Sequence, residues 1–245
     1  FGTFSVLTVP ADNDVWSVTV YASAGDQPLK RLRNAAAWSA VLVACPLHAH
    51  WLDGEPITGV TAMGGVVDRY RRLVSDAGPV VTGLALLGDA CTCTNPSLGR
   101  GVTLGLVQAA RLRDVARSHL ADPREFASAW DAVTERELTP WYRETVAEDR
   151  ARRRYMAALR AGHEPESPGA SAGRRLALIA AARADADAFR AFLANRSCFR
   201  LERELWQDPG VDALIGEPRG GGGPRMPGPD RDELLGLMAG ASAPA

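Results

Sequence analysis

Two short pairs carry the residue types that bind metals: Cys91-x-Cys93 and His48-x-His50, four side chains of the kind that ligate zinc. Structural zinc sites usually draw ligand pairs spaced two to four residues apart, so that both side chains converge from a turn. The single-residue spacing here, in two isolated pairs without an identifiable partner carboxylate, argues against a metal, and none is expected. A disulfide between residues 91 and 93 would close a very small strained ring, and the redox motif with precedent has two intervening residues. Cys91 and Cys93 therefore read as small, mildly apolar residues in a tight loop, and His48 and His50, beside Trp51, as ordinary polar or packed histidines.

The residues around the cysteines say more. In "GDACTCTNPSLGRG", residues 88–101, Gly88 permits close backbone approach after an apolar run, and Asp89 presents a carboxylate suited to hydroxyl groups. Pro96 stiffens the loop. Gly99, Gly101 and Gly105 remove side chains from one stretch, so that a flat ligand can lie against backbone. A helix starting near 99–102 would turn its free N–H groups and the positive end of its dipole toward that ligand, favouring negative charge there. The same glycine-rich strand-to-helix turn with an aspartate also serves as plain packing, and the residues alone leave both readings open.

The stretch resembles the second flavin fingerprint of FAD-dependent oxidoreductases of the para-hydroxybenzoate hydroxylase type, the class A flavoprotein monooxygenases and their geranylgeranyl reductase relatives. Gly88, Asp89, Ala90, Pro96, Gly99 and Gly101 fall in register with that fingerprint. The resemblance implies FAD as cofactor and NAD(P)H as reductant, with Asp89 bonding the ribityl chain and the segment Pro96 to Val102, including Arg100, cradling the isoalloxazine. It departs from the family at Thr92, where many members carry His, and the cysteines are not family requirements. No catalytic residue can be assigned. The Gly-x-Gly-x-x-Gly turn that holds the ADP pyrophosphate in that family does not occur in these 245 residues, nor does the middle fingerprint. The chain alone is not expected to hold FAD tightly. Phe1 is not an initiator Met and strand-like sequence begins at once, so the chain reads as the C-terminal part of a longer protein.

The elements that must position this loop are read from periodicity. Residues 3–9 and 15–21 are rich in β-branched and aromatic residues around the turn cluster "PADND", which predicts a hairpin. Trp16, Val18 and Val20 share one strand face, and that apolar face is a candidate wall for a small-molecule pocket. Residues 28–44 predict a helix opened by Pro28. Residues 57–74, interrupted by Gly64 and Gly65, predict a bent strand, and the apolar run 80–87 predicts a strand buried on both faces in a parallel sheet. Residues 101–120 predict a helix. From Asp122 the pattern predicts two helices divided near Thr139-Pro140, another over 174–194, a short one over 198–207, a Gly/Pro-rich linker over 216–230 and a terminal helix over 230–238.

The expected fold is α/β: part of a Rossmann-like FAD-binding domain, an antiparallel β-sheet substrate domain and a C-terminal helical region. Its segments are 1–65 (substrate domain), 66–120 (returning FAD-domain segment), 121–207 (helical region) and 208–245 (linker and tail). A formal net charge of -1 and a charged fraction of 23% give no pull toward nucleic acid, and Lys30 is the only lysine among 28 basic residues, a compositional bias. No apolar run suits a membrane span and no leader pattern opens the chain, so no stable membrane insertion and a cytoplasmic location are expected. The implied function is an FAD-dependent monooxygenase or reductase of an apolar or aromatic small molecule. The alternative is a non-catalytic truncated homologue whose helical tail, including "EDRARRRYMAALR", binds a partner.

Overall fold

The computed structural model describes residues 1–167, 169–216 and 226–241. The chain is mixed α and β, dominated by helices, with small antiparallel sheets. It divides into two units.

The first unit comprises residues 1–65, 151–167 and the described part of 224–245. Strands β1 (Phe4–Pro10) and β2 (Trp16–Ala22) pair antiparallel from Phe4↔Ala22 to Pro10↔Trp16. Asn13 and Asp14 make the turn with φ of 55° and 56°, the left-handed conformation these two residue types tolerate best, so the hairpin forms where the turn cluster places it. The helix expected over 28–44 is two pieces: a 3-10 turn over Pro28–Arg33, then α1 (Ala35–Val43). Asn34 stops the first and starts the second, because its extended backbone ends the turn and its side chain accepts the Ala37 N–H. The core joins Phe4 to Leu29, Ala37, Val41 and Cys45, and to Leu234 and Met238 of the last helix of the described residues, α9 (Arg231–Gly240).

The second unit comprises residues 66–150 and the described part of 168–223. Its β-structure is three short pieces and one returning strand: β3 (Arg69–Tyr70) pairs with β6 (Thr92–Cys93), and β4 (Val74–Ser75) with β5 (Gly78–Pro79), both antiparallel. The bent strand expected over 57–74 is therefore irregular from 57 to 68, with Ile57, Met63, Val66 and Val67 exposed. The buried parallel strand expected over 80–87 does not form. No strand of the described residues lies beside it, and a strand without a ladder partner leaves its backbone groups to water. Ala85 packs on the cluster of Val115, Phe126 and Trp130, and Leu86 O accepts the Trp130 indole N–H at 3.2 Å, while Val80 (72%) and Leu84 (50%) face outward.

Helix α2 (Gly101–His119) follows, then α3 (Pro123–Val133), capped by Asp122, whose carboxylate accepts from Arg124 and Glu125 N–H. The break expected near Thr139-Pro140 is one π turn over Thr134–Leu138, leading into α4 (Thr139–Arg160). Pro140 has no N–H for the carbonyl four residues back and its ring crowds that carbonyl, which the widened turn accommodates. The single helix expected over 174–194 is instead α5 (Ala170–Ala181) and α6 (Ala186–Arg196), because Asp185 caps a new start by accepting from Asp187 and Ala188 N–H. Shorter helices α7 (Glu202–Leu205) and α8 (Pro209–Ile215) close this unit. Most of the linker expected over 216–230 lies outside the described residues.

Candidate functional site

The loop of residues 88–101 lies wholly in the second unit. It leaves Leu87 in extended conformation and makes a 3-10 turn over Gly88–Ala90 with Gly88 at φ +55°. The turn is held from inside. Gly88 N–H donates to the side-chain carbonyl of Gln108, a fully buried residue of α2 whose amide reaches Thr92 Oγ1 at 3.4 Å. Arg71 donates from its guanidinium to the carbonyls of Asp89 (3.4 Å) and Ala90 (3.1 Å). Both interactions grip backbone and leave the Asp89 side chain outward and exposed. Among the described residues, nothing hydrogen-bonds that carboxylate.

After β6 the loop makes a second 3-10 turn, Pro96–Leu98, opened by Asn95, whose side-chain carbonyl accepts the Ser97 N–H at 3.0 Å. Gly99 closes it at φ +69°, ψ 15°, a conformation that costs other residues strain. Helix α2 then begins at Gly101 without a side-chain cap, so its first N–H groups remain available to an external acceptor. A Cβ added at Gly88, Gly99, Gly101 or Gly105 meets nothing within 4 Å. Each of these glycines therefore faces open space rather than a packed neighbour, and Val102 beside Gly101 is 79% exposed.

Arg100 is placed otherwise than a ligand-facing residue. Its side chain, 2% exposed, turns into the helical layer, bonding Glu144 at 3.1 Å, Asn195 at 2.6 Å and Thr145 at 3.3 Å, and lies over the Trp141 ring at 5.3 Å. Glu144 in turn accepts from the Asn195 amide (2.9 Å) and the Glu202 backbone N–H (2.9 Å). This network pins the start of α2 to α4, α6 and α7. Arg100 thus anchors the end of the loop through its side chain, which is turned away from solvent.

All four cysteines are free, and burial pushes the Cys91 thiol up to about 11, which keeps it protonated and inert near neutral pH. Among the described residues no three His, Cys, Asp or Glu side chains converge in the manner of a metal site. Of the candidate pocket residues in the first unit, Val20 packs against the core of that unit, and Trp16 donates its indole N–H to Trp51 O at 2.8 Å with the two rings edge to face. Those contacts describe a core face and an aromatic rim.

The sequence reading missed Gln108, Arg71, and the carboxylates of Asp68 and Asp149 that meet at Asn95. Gln108 carried a signal: it shares a helical face with Leu104 and Val115, where a polar residue must find a buried partner. Arg71 and Asp68 carried none, since their roles depend on β3 lying beside β6.

No family profile, curated protein or solved structure matches the chain. Among the described residues no helix is long and apolar enough to cross a membrane.

Proposed function

We propose that the chain is a flavin-binding part of an FAD-dependent oxidoreductase, a monooxygenase or reductase of an apolar or aromatic small molecule that uses NAD(P)H. One observation carries the reading: a single loop holds an exposed carboxylate without a hydrogen-bond partner among the described residues, Asp89, a left-handed Gly99 and the start of a helix without a side-chain cap. In this reading residues 66–120 belong to a Rossmann-like domain in which the run 80–87 requires strands beside it.

The residues present fit such a group. Gly88, Gly99 and Gly101 supply backbone without side chains, Asp89 accepts hydrogen bonds from a polyol, and the first amides of α2 favour an electron-rich ring edge. Bound flavin would supply the hydride and electron chemistry. The chain's own residues bind and orient: Asp89 holds the sugar-like chain, Ala90 and Pro96 shape the loop, Val102 walls the open side, and Arg100 fixes the helix start. Gln108 and Arg71 keep the first turn in place.

Exposed Val80 and Leu84, with Val102 and Leu106 also outward, favour a second reading, a non-catalytic module whose exposed apolar side chains are covered by a partner. Titration of FAD with the purified chain, followed by flavin fluorescence, separates the two. Saturable binding that weakens at least about tenfold, or ~1.4 kcal/mol, in Asp89→Ala supports the flavin reading. Saturable binding indifferent to Asp89 overturns it in favour of the module.

A further inference from the structure

The cradle loop is held at one residue. Asn95 donates its backbone N–H to the Asp68 carboxyl at 3.0 Å and its side-chain amide to the Asp149 carboxyl at 2.8 Å, while its side-chain carbonyl accepts from Ser97. Its backbone carbonyl accepts the Leu98 N–H at 3.5 Å. Every polar group of Asn95 is thus committed to the shape of the turn that ends at Gly99. The two carboxyl groups come from separate segments, Asp68 from the residue before β3 and Asp149 from α4, and Asn95 gathers them by bonding one through its backbone N–H and the other through its side-chain amide.

Two half-buried carboxylates gathered on one residue repel when both are ionised, and one proton between them removes the repulsion. We infer that Asp68 and Asp149 are positioning residues for the cradle, a one-proton clamp that holds the loop through Asn95 and slackens when both carboxyls ionise. Its functional consequence rests on reading the loop as a cofactor cradle, whereas the clamp is a property of the chain itself. Burial, with the negative charge of Asp68 and then of Glu148, raises Asp149 to about 6 against the opposing pull of the Asn95 amide. The other groups about the pair are Tyr142, pushed up by burial and by Asp68, Arg150, which acts on Tyr142 in the opposite sense, and Arg175, which pairs Glu148 at 3.4 Å.

The sign follows from linkage. A carboxyl whose folded pKa lies above its unfolded value retains its proton in the folded state, so the stability it contributes is present at low pH. That contribution is lost as pH rises from about 4 to about 6 and stays lost above. Loop order should fall over the upper part of that window.

Backbone hydrogen exchange of the cofactor-free chain tests this, with Ser97 and Gly99 amides expressed as protection factors to remove the intrinsic pH dependence. Protection is expected to fall about tenfold between about pH 5 and about pH 7.5 while α3 amides hold, as a shared proton is lost. Asp149→Asn replaces the acid by a neutral amide that can still bridge Asn95 and Asp68, so protection should be high and flat with pH. Asp68→Asn is the second variant and should flatten the profile as well. Flat protection in the wild-type chain, or an unaltered fall in both variants, overturns the clamp. No flavin is present in this measurement, so FAD binding indifferent to Asp89 together with a pH-dependent loop would sink the functional reading alone.

Discussion

Arg231 of α9 lays both guanidinium nitrogens against the carboxylate of Asp26, at 2.8 and 3.0 Å, across 205 positions of sequence. The Asp26 carboxylate is fully buried, and Arg160 adds a third contact at 3.4 Å. A bidentate fork on a buried carboxylate secures α9 to the turn after β2 and, through that turn, to the core of the first unit.

Removing the fork should cost more than the bond itself, because it strands a buried charge. Arg231→Ala is expected to destabilise the first unit by roughly 3 kcal/mol, since Arg160 remains as a longer partner. Arg231→Lys should recover only part of this, lacking the planar fork. Thermal melts of both variants check the order. Equal stability of wild type and Arg231→Ala would show that the pair contributes nothing.

Arg100 makes the parallel case in the second unit. Arg100→Met keeps much of the side-chain bulk over Trp141 but leaves Glu144 and Asn195 short of a partner, and a loss of about 3 kcal/mol is expected. Denaturant titration reads it. Since the start of α2 is tied to that network, the variant should also speed exchange of the first α2 amides.

The glycines separate strain from function. Gly99→Ala places a Cβ in open space at φ +69°, so steric contact is absent and the expected cost is backbone strain alone, about 1–2 kcal/mol. Gly105→Ala lies inside α2, also facing open space, and should stabilise the chain by up to about 1 kcal/mol. If a flat ligand lies along that stretch, Gly105→Ala should nevertheless weaken FAD binding. A variant both more stable and unchanged in binding would remove Gly105 from the cradle.

Thiol chemistry distinguishes the paired cysteines. Cys91 is buried with its thiol raised to about 11, whereas Cys93 is half-buried, so a thiol reagent near pH 8 should label Cys93 first and Cys91 only on unfolding. Single Cys→Ser variants identify the labelled site. Stoichiometric zinc in the purified chain that disappears in Cys91→Ser would contradict the inert reading.

How much was legible divides along a physical line. The hairpin was readable because its turn residues, Asn13 and Asp14, dictate a local backbone conformation, and α2 and α3 because amphipathic spacing and the Asp122 cap act within a few residues. Asn34 and Asp185 carried legible cap signals too, and reading through them merged segments that the caps divide. The glycine positions of the loop were visible for the same reason: left-handed backbone at Gly88 and Gly99 is a demand of single residues.

What tertiary structure decided concerns partners distant in sequence. Apolar character made 80–87 look like a buried strand, but a strand exists only by pairing, and among the described residues none pairs with it. Arg100 looked ligand-facing by its place in the fingerprint, and only the approach of α4 and α6 turned it inward to Glu144 and Asn195. The convergence of Asp68 and Asp149 on Asn95 was equally invisible, since the pairs are 27 and 54 residues apart. Local backbone preference is written residue by residue, whereas burial and charge pairing depend on which distant segments the packed chain brings together.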